Sequence, residues 1–571
     1  MTLALFLTPV ISFAGVYPVC GKFEIDSPRP IRFTSLEREL ACGESKLEAW
    51  KKIPTDQSQF LFTSFLQERG YYFPTFRKDG EKITIVAGER SKITKLIIEG
   101  DMPEDFKVKR QRKIIGEVLT PPRLNVIEKR ISSWLSSHGY PCPTVKASAQ
   151  AASGMVTIHV DTDELVKLDS IEEAPLDDLK KGVLRRYDSF KLGKTYNNDL
   201  LTLTTRRIEK DGILSSSYFV TDCLKDCTNV EQRSIAGKPR LFIFGVGVST
   251  EEYGIGKASW KHARLGKNGS SIEFSTYASY RLQRFASMAK LYLLPKPSRW
   301  FLAPLVTFQR ENEKQYDLIR LDAMLAPSMT WDGEVIGVQL GFGPNLNFTH
   351  TFQGDNKGST KALSVVGGIK VTSHDFEFYD AEPRSGFNIN FTTALENRNL
   401  LSSITAQSIN LNGEVLFNVA DFNPPFLVLG FKYGAATTIV KKGTYSYQHL
   451  PPTYQKYLGG SDNLRGFTRK SLPKSPEIGL TSVFLDSELR LVQVLPLDIQ
   501  PLLIMDIGVL GDSSMNLDYP IYWSPGIGLR WPSIIGVLRF TAARGIMSFN
   551  KDPNKAGIGG WKFFFSFGKE F

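Results

Sequence analysis

Long apolar runs are missing from this 571-residue chain. The most apolar interior stretch, Leu489 to Leu510, is broken by Pro496, Asp498, Pro501 and Asp506. A lone bilayer-spanning helix does not tolerate that composition. A membrane protein without such helices has to cross as a closed β-barrel. Histidine is scarce, with six residues in all, and His138, His159 and His262 show no triad or metal-ligand spacing. No P-loop is present. These gaps argue against a hydrolase and against a nucleotide-driven machine, so the expectation is a protein that is not an enzyme and holds no metal and no cofactor. Blocks of one charge are also lacking. The 70 Lys and Arg residues exceed the 59 Asp and Glu residues by 11, but they are spread along the chain. That pattern gives no nucleic-acid motif and reads as solvated surface with some affinity for acidic lipid head groups. Cysteine is limited to Cys20, Cys42, Cys142, Cys223 and Cys227, with none beyond.

Hydrophobic residues make up 42% of the chain, which excludes a disordered protein. Met1 to Val19 carries no charge, Leu3 to Phe13 is apolar, and Ser12-Phe13-Ala14 supplies small residues. This is the pattern of a secretory signal peptide over 1–14, although the usual basic start is absent. Export permits disulfides. Cys20–Cys42 would staple the first module and Cys223–Cys227 would close a small hairpin loop, with Cys142 unassigned. Zinc is the alternative, but no histidine stands at ligand spacing.

A unit of about 70 residues repeats three times over the first 240. A helical stretch ending in Gly and then a strand occurs at Gln67-Glu68-Arg69-Gly70-Tyr71-Tyr72. It recurs at Ser136-Ser137-His138-Gly139-Tyr140-Pro141 and, more weakly, at Lys210-Asp211-Gly212-Ile213-Leu214. Ile127, Ile131, Trp134 and Leu135 share one helical face, and Gly139 follows as a C-cap glycine. Asn198-Asp199 offers an N-cap for the third copy. Trp134 and Trp50 read as core. The predicted unit is strand–helix–helix–strand–strand, and the predicted boundaries are 15–90, 91–164 and 165–239. Exposed sheet edges in such units can accept an incoming strand; plain spacers are the alternative.

From about Arg240 to the end, period-2 alternation replaces the helical pattern. Phe387, Ile389, Phe391 and Leu395 alternate with Asn388, Asn390, Thr392 and Glu396. The same alternation runs through Ser408 to Val419, Ile272 to Tyr280, Ile336 to Phe342 and Val537 to Arg544. One apolar and one Asn/Ser/Glu-rich face is what a lipid-facing exterior and a wet lumen require. Strands of about ten residues suit about 16 strands over 240–571. The chain closes on Trp561, Phe563, Phe565, Phe567 and Phe571 along one strand face.

One loop stands apart from this regularity: Tyr457-Leu458-Gly459-Gly460-Ser461-Asp462-Asn463-Leu464-Arg465-Gly466-Phe467. In the two strands after it, parity places Asp486, Glu488 and Arg490, then Asp506 and Gly508, on the lumen side. Arg465 on a loop folded inward would find charge-assisted partners there.

With these residues the chain resembles the POTRA-containing superfamily of outer-membrane assembly and translocation proteins, and within it the TamA-like outer-membrane subunits of the translocation and assembly module. Gly70-Tyr71-Tyr72 and Gly139-Tyr140 look like POTRA signatures, and Gly245 to Thr250 looks like the first barrel strand. Leu458-Gly459-Gly460 with Leu464-Arg465-Gly466-Phe467 matches the hallmark loop. Glu488 and Asp506 occupy the places of its two acidic partners. The cysteines, and the missing aromatic after Gly212, depart from the family pattern.

The resemblance implies three α+β POTRA modules in the periplasm followed by an antiparallel transmembrane β-barrel in the Gram-negative outer membrane. It implies a lateral seam between the first strand, with Phe242 and Phe244, and the last, with Phe563, Phe565 and Phe571. Its implied partners are a TamB-like inner-membrane-anchored periplasmic protein, unfolded outer-membrane or autotransporter-type substrates, and outer-membrane lipid. A two-partner secretion transporter of the same superfamily and a passive outer-membrane channel are the alternatives. The first generally has two modules and a plug helix, and the second leaves three modules unexplained.

Overall fold

Alternation and glycine placement divide the chain into small mixed modules and one large barrel. The computed structural model describes residues 15–43, 53–173, 175–223, 228–294, 299–354, 357–380, 382–440, 450–473, 478–518, 520–548 and 557–568. The signal-peptide stretch, Trp50, Cys227 with its expected pairing to Cys223, and Phe571 lie outside them. Two compact units result, Met1–Leu165 and Val166–Phe571.

The first unit holds two modules. In the first, β1 (Gly15–Cys20), β2 (Phe23–Ser27), α1 (Ser35–Cys42), α2 (Thr55–Glu68), β3 (Thr75–Asp79) and β4 (Lys82–Val86) form a sheet of order β1-β2-β4-β3 under two helices. Thr34 and Glu37 form a reciprocal capping box that starts α1. Burial of Phe23, Ile25, Phe62, Leu66 and Ile85 builds the core, and a Cys20–Cys42 disulfide closes it as expected. The second module carries β5 (Lys95–Gly100), α3 (Pro121–Ser137), β6 (Thr144–Gln150) and β7 (Met155–Asp161), in sheet order β5-β7-β6. Ile127, Ile131 and Leu135 of α3 are buried, and Trp134 packs edge-on against Phe106 in the same core.

The second unit opens with β8 (Ser170–Glu173), α4 (Asn198–Lys210), β9 (Ser216–Thr221) and β10 (Asn229–Ile235), in sheet order β8-β10-β9. Two expectations need correcting. In the second and third modules the first of the two helices is only a 3₁₀ turn, at Val108–Arg110 and Val183–Tyr187. The N-cap of α4 is Asn197, whose Oδ1 accepts from the backbone N–H groups of Asp199 and Leu200. The three repeat glycines behave alike: Gly70, Gly139 and Gly212 all adopt φ between +71° and +105°, the left-handed turn in which glycine is favoured.

Sixteen antiparallel strands then close into a barrel. They are β11 (Arg240–Ser249), β12 (Tyr253–Leu265), β13 (Ser270–Ala278), β14 (Leu282–Lys290), β15 (Trp300–Asn312), β16 (Asp317–Asp332), β17 (Ile336–Gln353) and β18 (Gly358–Ser373). A short helix, α5 (His374–Phe378), leads to β19 (Gly386–Glu396), β20 (Ala406–Asn418), β21 (Leu427–Val440), β22 (Thr481–Leu491), β23 (Gln500–Gly511), β24 (Ile521–Ser533), β25 (Gly536–Ser548) and β26 (Gly557–Phe567). The alternation has its expected consequence. In β17, Leu340, Phe342, Leu346 and Phe348 are exposed, while Asn345, Thr349 and Thr351 of the opposite parity are buried. Leu503, Met505, Ile527, Leu529 and Phe540 continue the exposed apolar exterior. A water-facing surface of that extent would associate, whereas a lipid-facing one is satisfied. Among the described residues no helix is long and apolar enough to cross a membrane.

Candidate functional site: a strap through the lumen and a short seam

The segment between β21 and β22, over residues 450–473, folds into the barrel interior. Its fold is local and glycine-dependent. Gly459 and Gly460 have φ of +107° and +108°. The Asn463 Oδ1 accepts from the backbone N–H groups of Gly459 at 2.7 Å and Leu464 at 2.8 Å. Leu458 and Leu472 bridge the base of the segment. Leu458 and Leu464 then seat over Gly508, where a Cβ would fall 2.6 Å from Leu464 Cδ1. Glycine on the wall of β23 therefore makes the slot that receives the loop. A second close approach fixes the tip: a Cβ on Gly466 would fall 2.6 Å from the Gly545 Cα of β25. The Gly466 N–H donates to Ser524 Oγ at 2.9 Å, and Phe467 packs edge-on against Tyr522, with centroids 5.4 Å apart.

Arg465 is thereby delivered to the lumen wall, 2% exposed, against two carboxylates that are fully buried. Asp506 accepts from its Nε at 2.9 Å, from its backbone N–H at 3.0 Å and from its Nη2. Glu488 accepts from its Nη1. Glu488 also pairs with Arg539 and, at 3.3 Å, with Arg490. Expected partners Glu488 and Asp506 are thus brought together. Asp486, expected as a third, stands beside them without a direct bond to Arg465. It lies across from Asp506 in the strand register and is buried, but its Oδ1 has no hydrogen-bond partner. Asp486 acts on Arg465 through its charge alone, without a hydrogen bond to it.

The strap makes further contacts, through Ser461 before Arg465 and through Arg469 and Lys470 after it, to carboxylates the sequence reading did not single out. Arg469 Nε donates to Glu313 at 2.9 Å and its Nη1 to Glu252 at 3.2 Å. Lys470 donates to Glu311 at 3.1 Å. The Ser461 N–H donates to Glu251 Oε2 at 3.1 Å. The available signal was the Arg465…Arg469-Lys470 spacing on one loop together with acidic pairs on two strand-end turns.

Beside these contacts the barrel closes on itself. Neighbouring strands elsewhere share between seven and sixteen residue pairs. Among the described residues β11 and β26 share two, Val248 with Phe567 and Ser249 with Ser566. One backbone bond, Thr250 N–H to Phe565 O at 3.0 Å, extends the join. Of the residues expected at the seam, Phe565 makes this contact. Phe242 and Phe244 lie exposed on β11 and Phe563 on β26, away from the paired positions. Register at the join depends on where β26 ends.

Where the third module meets the barrel, α4 is docked by ion pairs. Arg207 meets Asp332 at 2.9 Å and Glu377 of α5 at 2.6 Å, and Lys210 meets Asp380 at 2.6 Å. Asp211 receives Lys261 at 3.2 Å, Lys290 at 3.3 Å and the Tyr187 hydroxyl at 3.1 Å. Burial raises the Asp211 carboxyl, but the two lysines outweigh it and hold the group below its usual range. A cavity of about 430 Å³, lined by Arg207, Lys290, Asp332 and Lys370 among others, lies there.

Together these features define a class: α+β modules leading into a closed membrane barrel with a strap through its lumen. No protein-family model and no curated protein matches the chain. Among solved structures, BamA from Haemophilus ducreyi lacking POTRA domains 1-3 aligns over 83% of this chain and 99% of its own, with TM-score 0.51 and 16% identity. CdiB from Escherichia coli aligns over 90% of this chain and 96% of its own, with TM-score 0.45 and 13% identity. The likeness to the BamA chain is one of fold: POTRA-type modules followed by a 16-strand barrel.

Proposed function

We propose that this chain is an outer-membrane assembly and translocation factor. Its modules receive unfolded substrates in the periplasm, and its barrel inserts or passes them through a seam that opens sideways. The observation that carries the reading is the two-pair join between the described residues of β11 and β26, in a barrel whose other neighbouring strands share seven pairs or more. A strand edge left unpaired is a hazard unless something uses it. Here the edge of β11 over Arg240 to Gly247, which pairs with no described residue of β26, offers backbone for an incoming strand, and Phe242, Phe244 and Val246 are exposed along it. Autotransporter-type proteins suit such a template because they cross or enter the membrane as strands. A TamB-like periplasmic protein is the proposed partner, feeding the modules from the inner membrane.

Cross-linking tests this. Ser249 and Ser566 face each other across the join, so Ser249→Cys with Ser566→Cys should form a disulfide. The cross-linked barrel should keep its heat-modifiable migration on gels, while assembly of an autotransporter in cells should stop and recover on reduction. Normal assembly through a fully cross-linked seam would overturn the proposal.

A further inference from the structure

The two feet of the strap stand on different ground. Arg465 is anchored on β22 and β23, which are laddered on both sides. Arg469 and Ser461 grip the turn after β11, the strand with the short join. Thr250 in that turn donates its N–H to Phe565 O, and its Oγ1 accepts from Phe565 N–H at 3.3 Å. The next two residues are Glu251 and Glu252, which are the strap's contacts. The other carboxylate on Arg469, Glu313, sits on the turn between β15 and β16, a hairpin paired throughout its length. Arg469 therefore ties the β11–β12 hairpin, which borders the short join, to a hairpin away from it. A cavity of about 50 Å³, lined by Ser249, Glu251, Ser461, Arg465 and Phe565, marks where strap and seam meet.

We infer that this second foot is a latch: Arg469 and Ser461 hold the β11–β12 turn against β26, so the strap keeps the seam shut from inside. Glu252 and Glu313 are 3% and 7% exposed. Withdrawing Arg469 would take a cation from the buried Glu252 and leave Glu313 with Lys470 at 3.3 Å, which is unfavourable. Strap seating and seam closure are consequently linked, and each favours the other. Tyr277 donates to Glu252 and Asp462 lies 3.6 Å from Arg469, so the latch is a small network with Arg469 at its centre. Arg469 acts as a positioning residue.

The inference rests on the seam being able to open, and its test uses no client. Hydrogen exchange by mass spectrometry on the purified full chain reads the amides of residues 248–253 directly. Arg469→Ala should speed their exchange about tenfold, while peptides of β22 and β23 stay unchanged. Arg469→Lys, which keeps the charge, should restore most of the protection. If Arg469→Ala fails to assemble, Glu252→Gln should give the same local acceleration. Unchanged exchange at 248–253, or equal acceleration in every turn of the barrel, would overturn the latch. Client assembly through a cross-linked seam would overturn the opening instead, so the two failures are distinguishable.

Discussion

Arg465 shows how far a single side chain can be placed from sequence. A period of two fixes which strand residues face the lumen, so Glu488 and Asp506 were legible as a pair awaiting a cation. The structure adds what parity cannot give: three arginines share Glu488, and the Arg465 backbone N–H joins its side chain on Asp506. Removing one partner of a buried pair costs about 3–5 kcal/mol because the other charge is left uncompensated. Arg465→Ala should therefore release the strap, seen as protease cleavage within residues 450–473. Arg490→Ala, which removes one longer contact, should leave it largely protected. Arg465→Lys should fail to rescue, since an ammonium cannot reproduce the planar fork. Arg469 and Lys470 were not legible because their partners lie on turns about 150 to 220 residues away, where no periodicity ties loop to loop.

At the scale of elements, α4 and α5 behave as one docking unit. The five residues of α5 are too few to show a helical period, and its start depends on Ser373 capping Phe376 N–H. The sequence therefore suggested only strands in this half. The neighbouring 3₁₀ turn carries a pH-sensitive group. Burial pushes the Asp188 carboxyl up to about 7, against the pull of Arg185 and Arg299 and with the push of Glu173 and Asp332. A carboxyl raised in the folded state binds its proton there more tightly than in the unfolded chain. Its contribution is full below the unfolded value of about 4 and is lost as pH rises toward 7. The third module should thus be more resistant to urea at pH 5 than at pH 8, by on the order of 2 kcal/mol. Asp188→Asn should flatten that difference when unfolding is followed by pulse proteolysis.

For the whole molecule, the division at Leu165 separates two modules from a unit in which the third module and the barrel cohere. Deleting residues 15–165 should leave a chain that still inserts and shows heat-modifiable migration. Loss of the folded barrel would contradict an independent second unit. The barrel itself was readable because lipid outside and water inside impose opposite demands on successive residues over sixteen strands. The join of β11 and β26 was not readable, because closure register depends on strand tilt and on where the last strand stops.

The burial of Glu488 and Asp506 also sets an order of events. Until the strap arrives, Asp506 lacks its guanidinium and Glu488 keeps only those of Arg490 and Arg539, so the wall formed by β22 and β23 stays hydrated. Drying of that wall and entry of the strap must coincide. The barrel therefore reaches its finished state only after residues 450–473 have been drawn inside. A chain whose strap is held outside should stall as a loosely paired sheet.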